Sequence, residues 1–220
     1  LYSGIYYLES RGYRPEEIFR IGKTLKNKAK RYYTVDNSIY ENRKSAGNVI
    51  DKEAGILNRG NLTRLKNFLN RAAQGERLTV GFIGGSITQG FAATAPDKCY
   101  AARTVAWLRK VFPNTEFDYV NAGIGATNSQ FGAARVQEDL LCRLPDLVVV
   151  EFSVNDHCTP HDMETYEGLI RQIYGSRSCP AMVLLHSVYY DTGKSAAYYH
   201  AQIGRHYDLP CISMQNSIYP

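Results

Sequence analysis

Three short stretches of the chain gather residues suited to nucleophilic chemistry. Gly84-Gly85-Ser86-Ile87-Thr88-Gln89-Gly90 follows an apolar run and puts a serine behind two glycines. A serine hydroxyl attacks only when it is exposed, a base can take its proton, and donors face the developing charge. A Gly-Gly-Ser turn at a strand end offers exposure and backbone N–H groups, although alone it also fits a plain tight turn. The second stretch, Asn121-Ala122-Gly123-Ile124-Gly125-Ala126-Thr127-Asn128-Ser129, is a small-residue loop that lets a ligand approach the backbone closely. The third, Glu151-Phe152-Ser153-Val154-Asn155-Asp156-His157, brings polar side chains directly out of an apolar run. Asn155 there either donates its amide to an oxyanion or serves as a turn residue.

Other glycine-loop chemistries fail against these letters. No G-x-x-x-x-G-K-[ST] and no G-x-G-x-x-G occurs. The G-x-S-x-G elbow fails because Thr88 stands where its last glycine belongs. Cys99, Cys142, Cys158, Cys179 and Cys211 are scattered without a C-x-x-C pair, which argues against a zinc site or a disulfide framework and for reduced, mostly structural thiols.

The elements that must position these stretches are legible in the apolar pattern. Leu62, Leu65, Phe68, Leu69 and Ala72 recur at helical spacing, with Gly75 as a stop. Apolar runs at Leu78–Ile83, Phe117–Val120, Leu147–Phe152 and Met182–Val188 read as strands, with a fifth around Cys211–Met214. Between them Ala101–Val111, Gln130–Arg143, Met163–Tyr174 and Ser195–Tyr207 read as crossover helices. The run Leu147-Val148-Val149-Val150 is apolar on both faces, as in a parallel sheet covered on both sides. The expected fold is therefore α/β with three layers, its ligand site at the carboxyl ends of the strands.

Taken together and in this order, the three stretches resemble the blocks of the SGNH, or GDSL-like, serine hydrolases, over residues from about 60 to 220. The resemblance implies a flavodoxin-like, three-layer α/β/α sandwich with a five-stranded parallel sheet and a cofactor-free, metal-free acyl transfer. It gives Ser86 the nucleophile's place, with the usual Gly-Asp-Ser reading Gly84-Gly85-Ser86 here. It puts the oxyanion backbone donor at Ala126 or, one position earlier, Gly125, and the side-chain donor at Asn155. Gly85, His157, His186, Tyr190 and Asp191 are the expected substrate-lining residues, and His161 could border the pocket. His200 and His206, on the last predicted helix, read as surface or packing residues. The fourth block, Asp-x-x-His, does not occur in these 220 residues, so the domain from 61 onward reads as incomplete at its C-terminal side.

Residues 1–60 are rich in Tyr, Lys and Asn, with a helix start at Pro15-Glu16-Glu17, and read as an accessory segment that packs on the main domain or touches carbohydrate. Length and composition, 220 residues with 44% hydrophobic and 21% charged, fit a folded domain with an appendage and exclude disorder or a fibrous repeat. The formal charge of +5 comes mostly from before residue 75 and reads as a solvated basic face; no nucleic-acid motif accompanies it, and no membrane partner is expected. The expected partner is a small ester or an acetylated oligosaccharide, since the Gly-Gly-Ser-Ile-Thr form resembles bacterial members that deacetylate plant polysaccharides. A lipase or thioesterase of the same fold, and a carbohydrate-binding relative without catalysis, are the alternatives. Location leans cytoplasmic, or secreted if a leader preceded Leu1; oligomeric state is left open.

Overall fold

The computed structural model describes residues 50–189 and 192–218. The Tyr-rich residues 1–49, the helix start at Pro15, and Tyr190 and Asp191 lie outside the described residues. Two compact units divide at Ile50, and the second, residues 51–220, contains everything described below.

One sheet organises the domain. Its strands are β1 (Ile56–Asn58), β2 (Leu78–Gly84), β3 (Phe117–Gly123), β4 (Leu147–Glu151), β5 (Ala181–His186) and β6 (Cys211–Ser213), in the order β1-β6-β5-β4-β2-β3. Strands β2 to β6 are parallel, as the sequence predicts. The sixth strand was not foreseen: β1 pairs antiparallel with β6 through Ile56↔Ile212 and Asn58↔Cys211, and three residues are too few to show an apolar period. Residues 56–58, read from sequence as part of the accessory segment, thus border the sheet.

The helices are α1 (Thr63–Ala73), α2 (Ser86–Gln89), α3 (Tyr100–Val111), α4 (Ser129–Asp139), α5 (Pro160–Tyr174), α6 (Ala197–His206) and α7 (Met214–Ile218). Alternation along the strands divides the core in two. Val148, Val150 and Leu184 pack with Val136 of α4, Tyr166 and Ile170 of α5, and Ile203 of α6. On the opposite face Val80, Phe82 and Val149 pack with Phe68 of α1 and with Val105 and Leu108 of α3. Each such buried side chain contributes about 1.5–3 kcal/mol of transfer free energy, which is what holds the three layers together. Local signals set the helix starts: Asn128 accepts from the Phe131 N–H ahead of α4, and Thr159 accepts from the Asp162 N–H with Pro160 opening α5.

From β2 the chain crosses to β3 on one side and then returns to lay β4 on the other. The order therefore reverses between β2 and β4, and the crevice outside their carboxyl ends is where an open α/β sheet binds its ligand. Ser86 follows β2 and Asn155 follows β4.

Candidate active site

Ser86 is the first residue of α2, a single turn that closes when Gly90 takes the left-handed conformation (φ +99°). The turn is tied to its neighbours through the backbone. Gly85 N–H donates to the Glu151 carbonyl (3.3 Å), while the Gly84 carbonyl accepts from Ile124 N–H (3.1 Å) and from Arg135 Nη2 (3.3 Å). Asn121 Nδ2 donates to the Thr88 carbonyl (2.8 Å). Gly123, ending β3, has to be small: a Cβ there would collide with the backbone N of Gln89, so glycine lets α2 lie directly on β3. Ser86 itself is half-buried, and its hydroxyl makes no hydrogen bond among the described residues.

The loop after β3 passes over Ser86. A Cβ on Gly125 would lie 3.8 Å from Ser86 Cβ, so this backbone borders Ser86. Gly125 N–H is already spent, donating to Gln89 Oε1 at 2.9 Å. Ala126 is exposed and holds φ +61°, a left-handed conformation that costs an L-residue about 1–2 kcal/mol and suits glycine. Asn155 leans on the same turn from the other side. A Cβ on Gly85 would collide with Asn155 Oδ1, and that oxygen is buried without a hydrogen-bond partner.

Beneath these loops lies a buried polar layer. Asp156 accepts the Ser129 N–H on Oδ1 (2.8 Å) and meets His200 Nε2 with Oδ2 (2.9 Å). The His200 ring stacks on Tyr166, centroids 3.6 Å apart and planes 1° from parallel. Burial, the largest influence on His200, lowers its pKa despite the opposing Asp156, so the ring is neutral with its proton on Nε2, facing the carboxylate. Glu151, at the end of β4, is fully buried, and burial pushes its pKa up to about 7. Ser153 Oγ has one proton and two acceptors in reach, Glu151 Oε1 (3.0 Å) and the Ser187 carbonyl (2.9 Å). A protonated Glu151 resolves this, donating to Ser153 Oγ while Ser153 donates to Ser187.

The structure brings Ser86, Gly85, Gly125 and Asn155 together, with Ala126 adjoining Gly125. It leaves His157 exposed on the loop beyond Asn155 and His161 exposed in the first turn of α5. His186 departs from its expected place at the rim. It is 0% exposed, on the Leu184 face of β5, with its ring 5.9 Å from that of His200. Burial pushes its pKa down to about 3, so it is neutral and inside the core. Of the two helix histidines, His206 is exposed, whereas His200 is buried and hydrogen-bonded. Sequence reasoning did not find Gln89, Arg135, Asp156 or Glu151. Gln89 carried a readable signal, one helical turn after Ser86; Arg135 and Asp156 reach distant segments, and the Glu151 side chain bonds its neighbour Ser153 but is buried by the fold.

Comparison with known proteins places these features in context. Residues 82–209 match the GDSL-like Lipase/Acylhydrolase family. Among solved structures, a two-domain esterase (CEX) active on acetylated mannans, co-crystallised with mannopentaose, is 53% identical with TM-score 0.77, over 78% of this chain and 47% of that one. This chain therefore spans about half the length of that esterase. A catalytic mutant of Axe2, an acetylxylan esterase from Geobacillus stearothermophilus, is 21% identical with TM-score 0.52, over 61% of this chain and 74% of the other, and shares the fold. No curated protein sequence matches.

Proposed function

The chain belongs to the GDSL-like lipase/acylhydrolase family, and from that premise we propose that it carries the nucleophile and oxyanion hole of a serine esterase that removes acetyl groups from a carbohydrate. The observation that carries the reading is the convergence of Ser86, the Gly125-Ala126 backbone and Asn155 at the switch point between β2 and β4. The 53% identity to an esterase active on acetylated mannans supports an acetylated mannan-like oligosaccharide as substrate.

In this reading Ser86 Oγ attacks the acetyl carbonyl as a base takes its proton. The carbonyl π electrons move onto oxygen, and three donors meet the oxyanion: Ser86 N–H, Ala126 N–H and Asn155 Nδ2–H. Ala126 is preferred to Gly125 because Gln89 already holds the Gly125 N–H, and because Ala126 has the left-handed φ of a glycine position. The tetrahedral adduct then collapses, the sugar hydroxyl leaves with the base's proton, and water releases acetate from the acyl-serine. Among the described residues no histidine hydrogen-bonds the Ser86 hydroxyl; the family resemblance gives that task to an Asp-x-x-His pair.

Acetate release from acetylated manno-oligosaccharides tests the reading. The assay compares the chain alone, the chain extended by a segment bearing Asp-x-x-His, and Ser86→Ala in both. Release that Ser86→Ala abolishes is the expected result. Oligosaccharide binding without Ser86-dependent release in any form would favour a binding module instead.

A further inference from the structure

We propose that Asp156 and His200 are positioning residues of the oxyanion hole, a buried hydrogen-bonded pair that fastens the Asn155 loop to the Ala126 loop. The inference rests on the roles given to Ser86, Ala126 and Asn155 above.

Asp156 is the residue after Asn155, and the backbone N–H groups of both donate to the Phe152 carbonyl (2.9 Å each). A displacement of the Asp156 carboxylate therefore drags the Asn155 amide with it. On its other side that carboxylate holds the N–H of Ser129, the first residue of α4, just beyond the Ala126 turn. One side chain thus spans the two loops that supply separate donors to the same oxygen. A misplacement of about 1 Å between such donors is enough to cost about 10²-fold in rate.

His200 keeps that carboxylate in place. Its Nε2–H fills Oδ2, so that both carboxylate oxygens are hydrogen-bonded in a site with almost no access to water. The ring is held by its stacking on Tyr166, and the backbone of the residue is anchored too, the His200 main-chain N–H donating to the Ala196 carbonyl (3.0 Å). Ala196 N–H in turn donates to the Ser153 carbonyl (2.7 Å), closing a loop of bonds back onto the segment that carries Asn155. Packing alone does not require this arrangement, since apolar side chains of similar volume fill a buried site at no greater cost than an ion-bearing pair. Its directional content is the relative placement of the two loops.

The test uses two substitutions, each made in the chain extended by the Asp-x-x-His segment. His200→Phe keeps a ring stacked on Tyr166 and deletes the donor, whereas His200→Gln returns an amide N–H to the place of Nε2. The readouts are the rate of Ser86 phosphonylation by a small alkyl fluorophosphonate, resolved into kinact and KI, and amide hydrogen exchange across residues 124–129 and 153–157. In His200→Phe we expect kinact to fall about 10- to 100-fold with KI within about twofold, and both segments to exchange faster. His200→Gln should recover most of each. Wild-type kinact and exchange in His200→Phe would overturn the proposal, as would equal losses in both variants that simply track a lower Tm. If the wild-type sequence extended by the Asp-x-x-His segment gains no adduct at Ser86, the esterase reading fails. The exchange data still decide whether the pair ties the loops, and unchanged exchange would overturn that tie.

Discussion

Glu151 and Asn155 leave the same strand end and meet opposite environments. Glu151 is sealed beneath the loops, where desolvation favours its protonated form and raises its pKa to about 7. Between pH 4.5 and 7 the folded state then holds a proton that the unfolded chain releases. Its contribution to stability is complete below about pH 4.5 and is lost as the pH rises through 7. His186 runs the other way: lowered to about 3, it contributes fully above pH 6.5 and loses that contribution as the pH falls. Because the two slopes oppose each other, Glu151→Gln is the informative comparison. Urea melts should show the variant gaining on the wild type from pH 4.5 to 7; a constant difference would contradict the assignment. Asn155 is half-buried, and its Oδ1 has no protein partner to lose. Asn155→Ala should leave Tm nearly unchanged and lower kcat about 10²- to 10³-fold, the usual cost of one oxyanion donor; a matching rise in KM instead would assign Asn155 to ground-state binding. The placement of Ser86 and Asn155 at the carboxyl edge of the sheet was legible in sequence because each lies in the turn after an apolar strand. The Asp156–His200 pair was not, since its two halves lie on elements that only the fold brings together. The burial of His186 was legible in part: Met182, Leu184 and His186 share one face of β5, and Leu184 belongs to the core.

At the scale of elements, the position of Ser86 depends on how closely α2 approaches β3. Gly123→Ala should place its Cβ against the backbone at Thr88 and Gln89, which cannot yield as a side-chain tip would. We expect a loss of about 1–3 kcal/mol in stability together with a loss of Ser86 reactivity, read by thermal melting and by phosphonylation of Ser86. A variant that melts and reacts like the wild type would show that the turn tolerates displacement. Strands β2 to β5 and helices α1, α3, α5 and α6 were legible because their apolar residues keep a steady period over enough positions, whereas β6, read around Cys211–Met214, is as short as β1. Ser86–Gln89 was too short to read as a helix, and it is fixed instead by Gly85, Gly90 and contacts with β3 and β4. The predicted helix Gln130–Arg143 ends as α4 at Asp139 and continues as a separate 3₁₀ turn at Leu141–Arg143, because its apolar pattern runs on through Leu140 and Leu141, both buried.

For the molecule as a whole, the reversal of strand order between β2 and β4 turns three separate loops into one site. The order β3-β2-β4 sets the Ser86 turn beside the loops that carry Ala126 and Asn155, and the two helical layers leave the carboxyl edge for ligand. The layer architecture followed from the alternation of strand and helix patterns, whereas the antiparallel β1 at the far edge did not. The measurement that bears most directly on this account is acetate release from an acetylated manno-oligosaccharide by the chain extended with an Asp-x-x-His segment, set beside its Ser86→Ala variant. The account predicts steady release by the parent and loss of it, down to background, in Ser86→Ala with oligosaccharide binding retained. Equal release by both, or none by either while the oligosaccharide still binds, would contradict it.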